Sequence, residues 1–131
     1  MTQRIEHALR DGEELLLCGD LNIAHTDADL KNAKGNIGKA GVLPQEREYL
    51  DRWAAAGLVD VHRALSGPGP GPYTWWSWRG KAFDNDAGWR IDYQWATPQL
   101  AARAELATVG RAPAYDQRWS DHAALVVDYR D

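Results

Sequence analysis

Five polar side chains carry the chemistry this sequence could support: Asp20, Asn22, Asp92, Asp121 and His122. Each falls within or beside a run that reads as a β-strand. Asp20 and Asn22 close the stretch Leu15-Leu16-Leu17-Cys18-Gly19-Asp20-Leu21-Asn22, an apolar run read as a buried strand that ends in a glycine. Side chains at i and i+2 of an extended segment point the same way, so the two polar groups are predicted to converge at the strand end. Ligands of open α/β sheets bind near such ends. The same octapeptide also reads as a plain strand followed by an Asx turn. Asp92 lies in mid-strand, where a carboxylate needs a partner or a solvated cleft. Ser120-Asp121-His122 stands just before the last apolar run. Three carboxylates, a carboxamide and an imidazole form a hard, oxygen-rich set that suits Mg²⁺ or Mn²⁺, whereas zinc would want more His or Cys. Magnesium held by few carboxylates keeps positions for water and a substrate phosphate. In-line phosphoester hydrolysis needs an oriented water, neutralised phosphoryl oxygens and help for the leaving oxygen, and this set can supply all three.

The elements that must position these groups are legible in outline. Residues 2 to 11 read as a helix with Ile5, Ala8 and Leu9 on one face and Gly12 as its cap. Pro44 opens a second helix that Gly57 closes, with Glu46 and Glu48 near its positive end. Tyr49, Leu50, Trp53 and Ala54 are its expected buried stripe. Between them, residues 25 to 41 form a long irregular loop in which Lys31, Lys34 and Lys39 have no acid beside them after Leu30. Amides and lysines along such a loop suit phosphate contacts, although a solvated loop would look the same. Residues 58 to 65 read as a strand or loop, and the Gly-Pro run 67–72 as a surface connection. Residues 73 to 79 and 88 to 96 read as a hairpin whose tip is the polar loop between them. In its second arm Trp89, Ile91, Tyr93 and Trp95 face one way and Arg90, Asp92 and Gln94 the other. A short helix from Thr97 to Arg103 and strands over 105–109 and 123–129 complete the chain. His7, His25 and His62 read as packing histidines.

At 131 residues the chain suits one domain, and 44% hydrophobic with 26% charged residues is a globular composition. A net charge of −4 gives no global positive field, so a polyanion must be met by a local patch or through a metal ion. Cys18, the single cysteine, reads as a small buried hydrophobe and excludes a disulfide within the chain. No membrane span is expected, and the predicted location is the cytoplasm, or the nucleoid of a bacterium. Five of the seven tryptophans fall between Trp75 and Trp95, as an unusually heavy core or as a stacking surface.

The blocks Gly19-Asp20-Leu21-Asn22, Gly88-Trp89-Arg90-Ile91-Asp92-Tyr93 and Ser120-Asp121-His122 resemble the exonuclease III family of apurinic/apyrimidinic endonucleases, within the endonuclease/exonuclease/phosphatase superfamily. Asp29-Leu30-Lys31-Asn32 and Tyr73-Thr74-Trp75-Trp76-Ser77-Trp78-Arg79 are similar in order and spacing and narrow the resemblance to DNA repair. The resemblance implies that Asp20 orients or deprotonates the attacking water and that Asn22 helps hold it. It gives Asp92 the task of fixing His122, His122 a contact to a phosphoryl oxygen, and Asp121 a part in metal binding. The implied metal set is Asp20, Asn22, Asp121 and His122. Trp75, Trp89 and Ile91 match the walls of a pocket for a flipped-out sugar without its base. Trp76 and Arg79 are counted with the DNA contacts, and Asn32, Lys34 and Asn36 with the backbone phosphates. The implied partner is double-stranded DNA at abasic sites or 3′ ends, acted on by a monomer at full length.

The family pattern also has, upstream, an asparagine on its first strand, a metal-binding glutamate and a mid-chain tyrosine, none of which this sequence matches. The expected fold is therefore the C-terminal half of a four-layer α/β-sandwich of DNase I-like type, an α+β arrangement with a mixed, mostly antiparallel sheet and flanking helices. Residues 1–131 would be a partial domain, Met1 an internal methionine, one sheet face uncovered, and the piece alone inactive. Two further readings stay open: a phosphoesterase of the same superfamily acting on small or lipid phosphates, and a non-catalytic half that binds DNA.

Overall fold

A computed structural model describes residues 1–131. The element order is α1 (Thr2–Asp11), β1 (Leu16–Asp20), α2 (Pro44–Ala56), β2 (Val59–Asp60), α3 (Val61–Ser66), β3 (Asp92–Ala96), α4 (Pro98–Ala101), β4 (Ala104–Val109) and β5 (Leu125–Tyr129). The strands make two antiparallel sheets: β1-β3-β2, with β3 central, and the pair β4-β5. The expected α+β class with antiparallel pairing is what the chain adopts.

Both long helices begin and end where local chemistry dictates. Gly12 and Gly57 take left-handed conformations at the C-termini of α1 and α2. Pro44 starts α2, and Glu46 Oε1 accepts the amides of Gly41 and Leu43. The helices pack Ile5, Leu50 and Trp53 against Leu58, Tyr93 and Trp95, forming the main core on one side of β3. Tyr49 and Ala54 of the expected stripe are exposed, and the stripe narrows to Leu50 and Trp53.

Several expectations change with the tertiary arrangement. The β1 strand is present, but four of its five residues, Cys18 among them, are exposed, so it is not the buried strand its apolar run predicts. Its only hydrogen-bonded neighbour is β3, which makes it an edge. Residues 58–65 divide into the two-residue β2 and helix α3, whose first turn is capped by Asp60 Oδ1 accepting the Arg63 amide at 3.2 Å. The predicted hairpin is reduced to a bridge at Trp75 and Trp89, because β3 pairs with β1 and β2 instead.

The face that Arg90 shares in the alternation, opposite Trp89 and Ile91, is a buried one at this position. Arg90 is 1% exposed, as is Asp29. Its Nε donates to Asp29 Oδ1 at 2.8 Å and its Nη2 to Asp60 Oδ2 at 2.5 Å. Its guanidinium also lies 4.7 Å from the Tyr93 ring centre. Arg63 donates to Asp29 Oδ1 and to the carbonyls of Gly67, Gly69 and Gly71, which ties the Gly-Pro connection to the same carboxylate. His62, the packing histidine of the sequence reading, is buried beside this network. Burial, followed by the nearby Arg90 charge, pulls its pKa down to about 4.

Two outcomes follow from the buried network. Arg90→Leu leaves Asp60 without its cation and Asp29 with Arg63 alone, and is expected to lower unfolding free energy by about 3–5 kcal/mol in urea titrations. His62 stays neutral in the fold while its unfolded form takes a proton near 6.5. Its contribution is thus present above pH 6.5 and is lost as pH falls from there toward 4. His62→Leu is expected to flatten that part of a stability–pH curve.

Candidate active site

The antiparallel register of β1 and β3 sets Asp20 directly opposite Asp92. His122 joins them from the segment before β5. Its Nδ1 donates to Asp92 Oδ2 at 2.9 Å, and its Nε2 lies 3.7 Å from Asp20 Oδ2. Thr74 is the pin that makes this possible. Its hydroxyl oxygen accepts the amides of Ile91 and Asp92 at 3.1 Å each, and its carbonyl accepts the Ala123 amide at 2.8 Å. One buried threonine therefore binds the start of β3 to the residue after His122. Ser120 Oγ accepts the His122 amide, closing the local turn. Trp75 Nε1 donates to Asp121 Oδ2 at 3.0 Å, and the Trp76 amide donates to the Asp121 carbonyl.

Next to the triad is a cavity of about 490 Å³ lined by Asn22, Glu46, Trp75, Trp89, Ile91, Asp121 and His122, with Ala40 and Gly41. The rings of Trp75 and Trp89 meet edge to face, 6.2 Å apart. Gly41 has φ +96°, and a Cβ there would come 2.8 Å from the Trp89 ring, so the wall needs a glycine at that position. Gly88 is under the same demand from below: a Cβ would meet Trp76, Tyr73 and the Trp75 carbonyl under 3.0 Å. The long loop thus contributes the cavity's far rim, not only a solvated surface.

The sequence-predicted residues divide clearly. Asp20, Asp92 and His122 converge, and Asn22, Asp121, Trp75, Trp89 and Ile91 share the cavity. Asn22 arrives by a different route than expected. Its backbone is left-handed (φ +56°), and its amide donates to Asp20 Oδ1 at 2.8 Å. The Asx turn is therefore present, and the strand-alternation argument for the pair fails because the strand has already ended. Trp76 is corrected outright: at 2% exposed it packs on Phe83 and its indole donates to Asp86, so it is core and not a DNA contact. Asn32, Lys34 and Asn36 lie together on an outlying turn, where Asn32 Oδ1 accepts the Gly35 amide and Asn36 Nδ2 donates to the Asn32 carbonyl. Arg79 is exposed. Glu46, read from the sequence as an acid near the positive end of α2, is the cavity residue that reading missed; its place in the first turn of the helix carries no sign of a cavity.

Electrostatics favours anions at Asp121 and a cation at His122. The Trp75 indole, opposed by slight burial, holds the Asp121 carboxyl below its ordinary value. Burial pulls His122 down, but the hydrogen bond and charge of Asp92, with Asp20 and Asp121, outweigh it, and the net shift is upward. Asp20, Asp92 and His122 each offer one donor atom within 4.8 Å of the others. The two carboxylates suit a hard divalent cation in donor type, with water or phosphate needed to complete its shell, whereas a protonated His122 has no lone pair to add. Of the expected metal set, Asp20 and His122 belong to this group, Asp92 is added, and Asp121 is engaged by Trp75.

Residues 1–122 match the Endonuclease/Exonuclease/phosphatase family. The chain belongs to that family. Among its relatives it is 44% identical over 111 residues to the exodeoxyribonuclease of Bacillus subtilis (strain 168), covering 85% of this chain and 42% of that protein. It is 46% identical over 79 residues to the DNA repair nuclease APEX1 of Danio rerio, covering 60% of this chain and 26% of that protein. The 3′ phosphatase NExo from Neisseria, solved with a product DNA hairpin, superposes with a TM-score of 0.86 at 30% identity over 98% of this chain and 50% of that one. An AP endonuclease from Archaeoglobus fulgidus gives 0.83 at 27% identity, again over 98% of this chain and 51% of its own. The chain thus spans about half the length of these solved members of the family and less than half of the curated ones.

The Asp92–His122 contact has a direct readout. Asp92→Asn removes the charge that raises His122, and its pKa is expected to fall, seen by NMR titration of the imidazole resonances. The sign follows from the shift: the raised group stabilises the fold fully below the ordinary histidine value, and that stabilisation is lost as pH rises through the raised one.

Proposed function

We propose that this chain forms part of a DNA repair nuclease. It would hydrolyse DNA phosphodiester bonds at abasic sites and remove nucleotides from 3′ ends, with Mg²⁺ or Mn²⁺ as cofactor. The observation that carries this reading is the His122–Asp92 pair facing Asp20 at the rim of an apolar cavity walled by Trp75, Trp89 and Ile91.

The roles follow from donor and acceptor chemistry. Asp92 accepts the Nδ1 proton and so leaves Nε2 of His122 as the atom that faces substrate. As an imidazolium, His122 donates from Nε2 to a phosphoryl oxygen and offsets charge that builds there. Asp20 orients the attacking water and takes its proton. Asn22 offers its carboxamide to the same water or to the phosphate. Asp20, helped by Asp92 or by Asp121, is the group that would hold the cation, which supplies Lewis-acid polarisation of the phosphate when bound. The tryptophan-walled cavity accepts a sugar that lacks its base, since a normal base must first be unstacked and unpaired to leave the duplex. Asn32, Lys34, Asn36 and Arg79 are assigned to the DNA backbone on either side.

Removal of a 3′ phosphate is the same attack by water on phosphorus with the sugar 3′ oxygen leaving, on a monoester in place of a diester. The Neisseria relative that is described as a 3′ phosphatase favours keeping it as a second activity of this site.

The test uses the protein at the full length its gene encodes. Asp20→Asn is expected to lower turnover on an abasic-site duplex by about 10²–10⁴-fold with DNA affinity nearly unchanged. EDTA is expected to stop cleavage, and added Mg²⁺ or Mn²⁺ to restore it. Turnover of an inositol phosphate in preference to the abasic duplex would reject the DNA reading. Survival of activity within tenfold in Asp20→Asn would reject the role given to that residue.

A further inference from the structure

Trp78 and Tyr115 are 44% and 42% exposed, yet neither ring is loose. They meet edge to face with centres 5.9 Å apart, and the Tyr115 hydroxyl donates to the Trp78 carbonyl at 3.1 Å. The Arg118 guanidinium lies 4.1 Å from the Trp78 ring centre and 5.6 Å from that of Tyr115. Its Nη2 donates to the Trp76 carbonyl at 2.5 Å. Arg118 thus braces both rings through its guanidinium face and its bond to the Trp76 carbonyl. Pre-ordered aromatic faces beside a guanidinium make a surface on which flat rings stack without regard to sequence.

Their position relates them to the proposed chemistry. Trp78 stands three residues beyond Trp75 on a chain segment tied to Asp121 by the Trp75 indole and the Trp76 amide. Exposed Arg79 lies immediately alongside.

Resting on the nuclease reading, we propose that the Trp78–Tyr115 pair is a stacking site for an unpaired base of the bound DNA. The site would favour frayed or overhanging strands over blunt duplex.

The experiment measures fluorescence anisotropy of the full-length protein, silenced by Asp20→Asn, on a labelled blunt duplex and on the same duplex with a three-nucleotide overhang. Trp78→Ala with Tyr115→Ala is expected to weaken overhang binding by roughly ten- to a hundredfold. Blunt-duplex binding should change less than twofold, and the slope of affinity against salt should stay the same, because no phosphate contact is lost. Trp78→Phe with Tyr115→Phe, which keeps two flat rings, should retain most of the overhang affinity. Unchanged overhang binding in the alanine variant, or equal losses on both substrates, would overturn the stacking site while leaving the nuclease reading intact. Failure of the Asp20→Asn parent to bind either DNA would overturn both.

Discussion

Arg90 holds a full positive charge out of water, and it can do so only because Asp29 and Asp60 meet it from two other parts of the chain. A buried charge with a partner missing is strongly unfavourable, so this network accepts one arrangement of β3, α3 and the Asp29 turn and penalises the others. The backbone follows the side chains, since the Arg90 amide donates to the Asp29 carbonyl at 2.7 Å. Trp89 and Ile91 flank Arg90 in sequence and are carried to the opposite face, where they become cavity wall. Specificity of position, more than stability, is what this burial contributes to the site.

The triad depends on a second set of constraints. Asp20 and Asp92 are opposite because β1 and β3 share one register, and a slip by one residue would turn one of the carboxylates away. His122 reaches them from a different sheet, and Thr74 is the residue that joins the two. The site therefore sits where independent elements meet, which places its groups on rigid backbone and leaves its rim to the long loop. Gly41 shows how closely that loop must approach: its missing side chain is what lets the Trp89 ring stand where it does.

The tryptophans divide by partner, not by type. Trp75 and Trp76 are neighbours with the same side chain; one lines the cavity and gives its indole proton to Asp121, while the other is buried against Phe83 and gives its proton to Asp86. Trp78, next in alternation on the Trp76 side, stays on the surface because Arg118 and Tyr115 hold it there. Membership of the family agrees with the convergence of acidic and imidazole groups.

The limits of α1 and α2, the Asx turn after β1, the antiparallel character of the sheets and the motif residues at Asp20, Asp92 and His122 were legible from the sequence alone. Caps, prolines, glycines and short-range alternation act between residues a few positions apart, so neighbouring letters suffice. The need of Asp92 for a partner was equally legible, because a mid-strand carboxylate carries that requirement with it. The exposure of β1, the burial of Arg90, the core fate of Trp76 and the cavity role of Glu46 came only with the tertiary structure. Arg90 meets its acid 61 positions away, and alternation along one strand carries no information about such a partner. Whether a face is buried depends on which elements cover it, and β1 reads as a core strand although β3 is its only neighbour in the sheet.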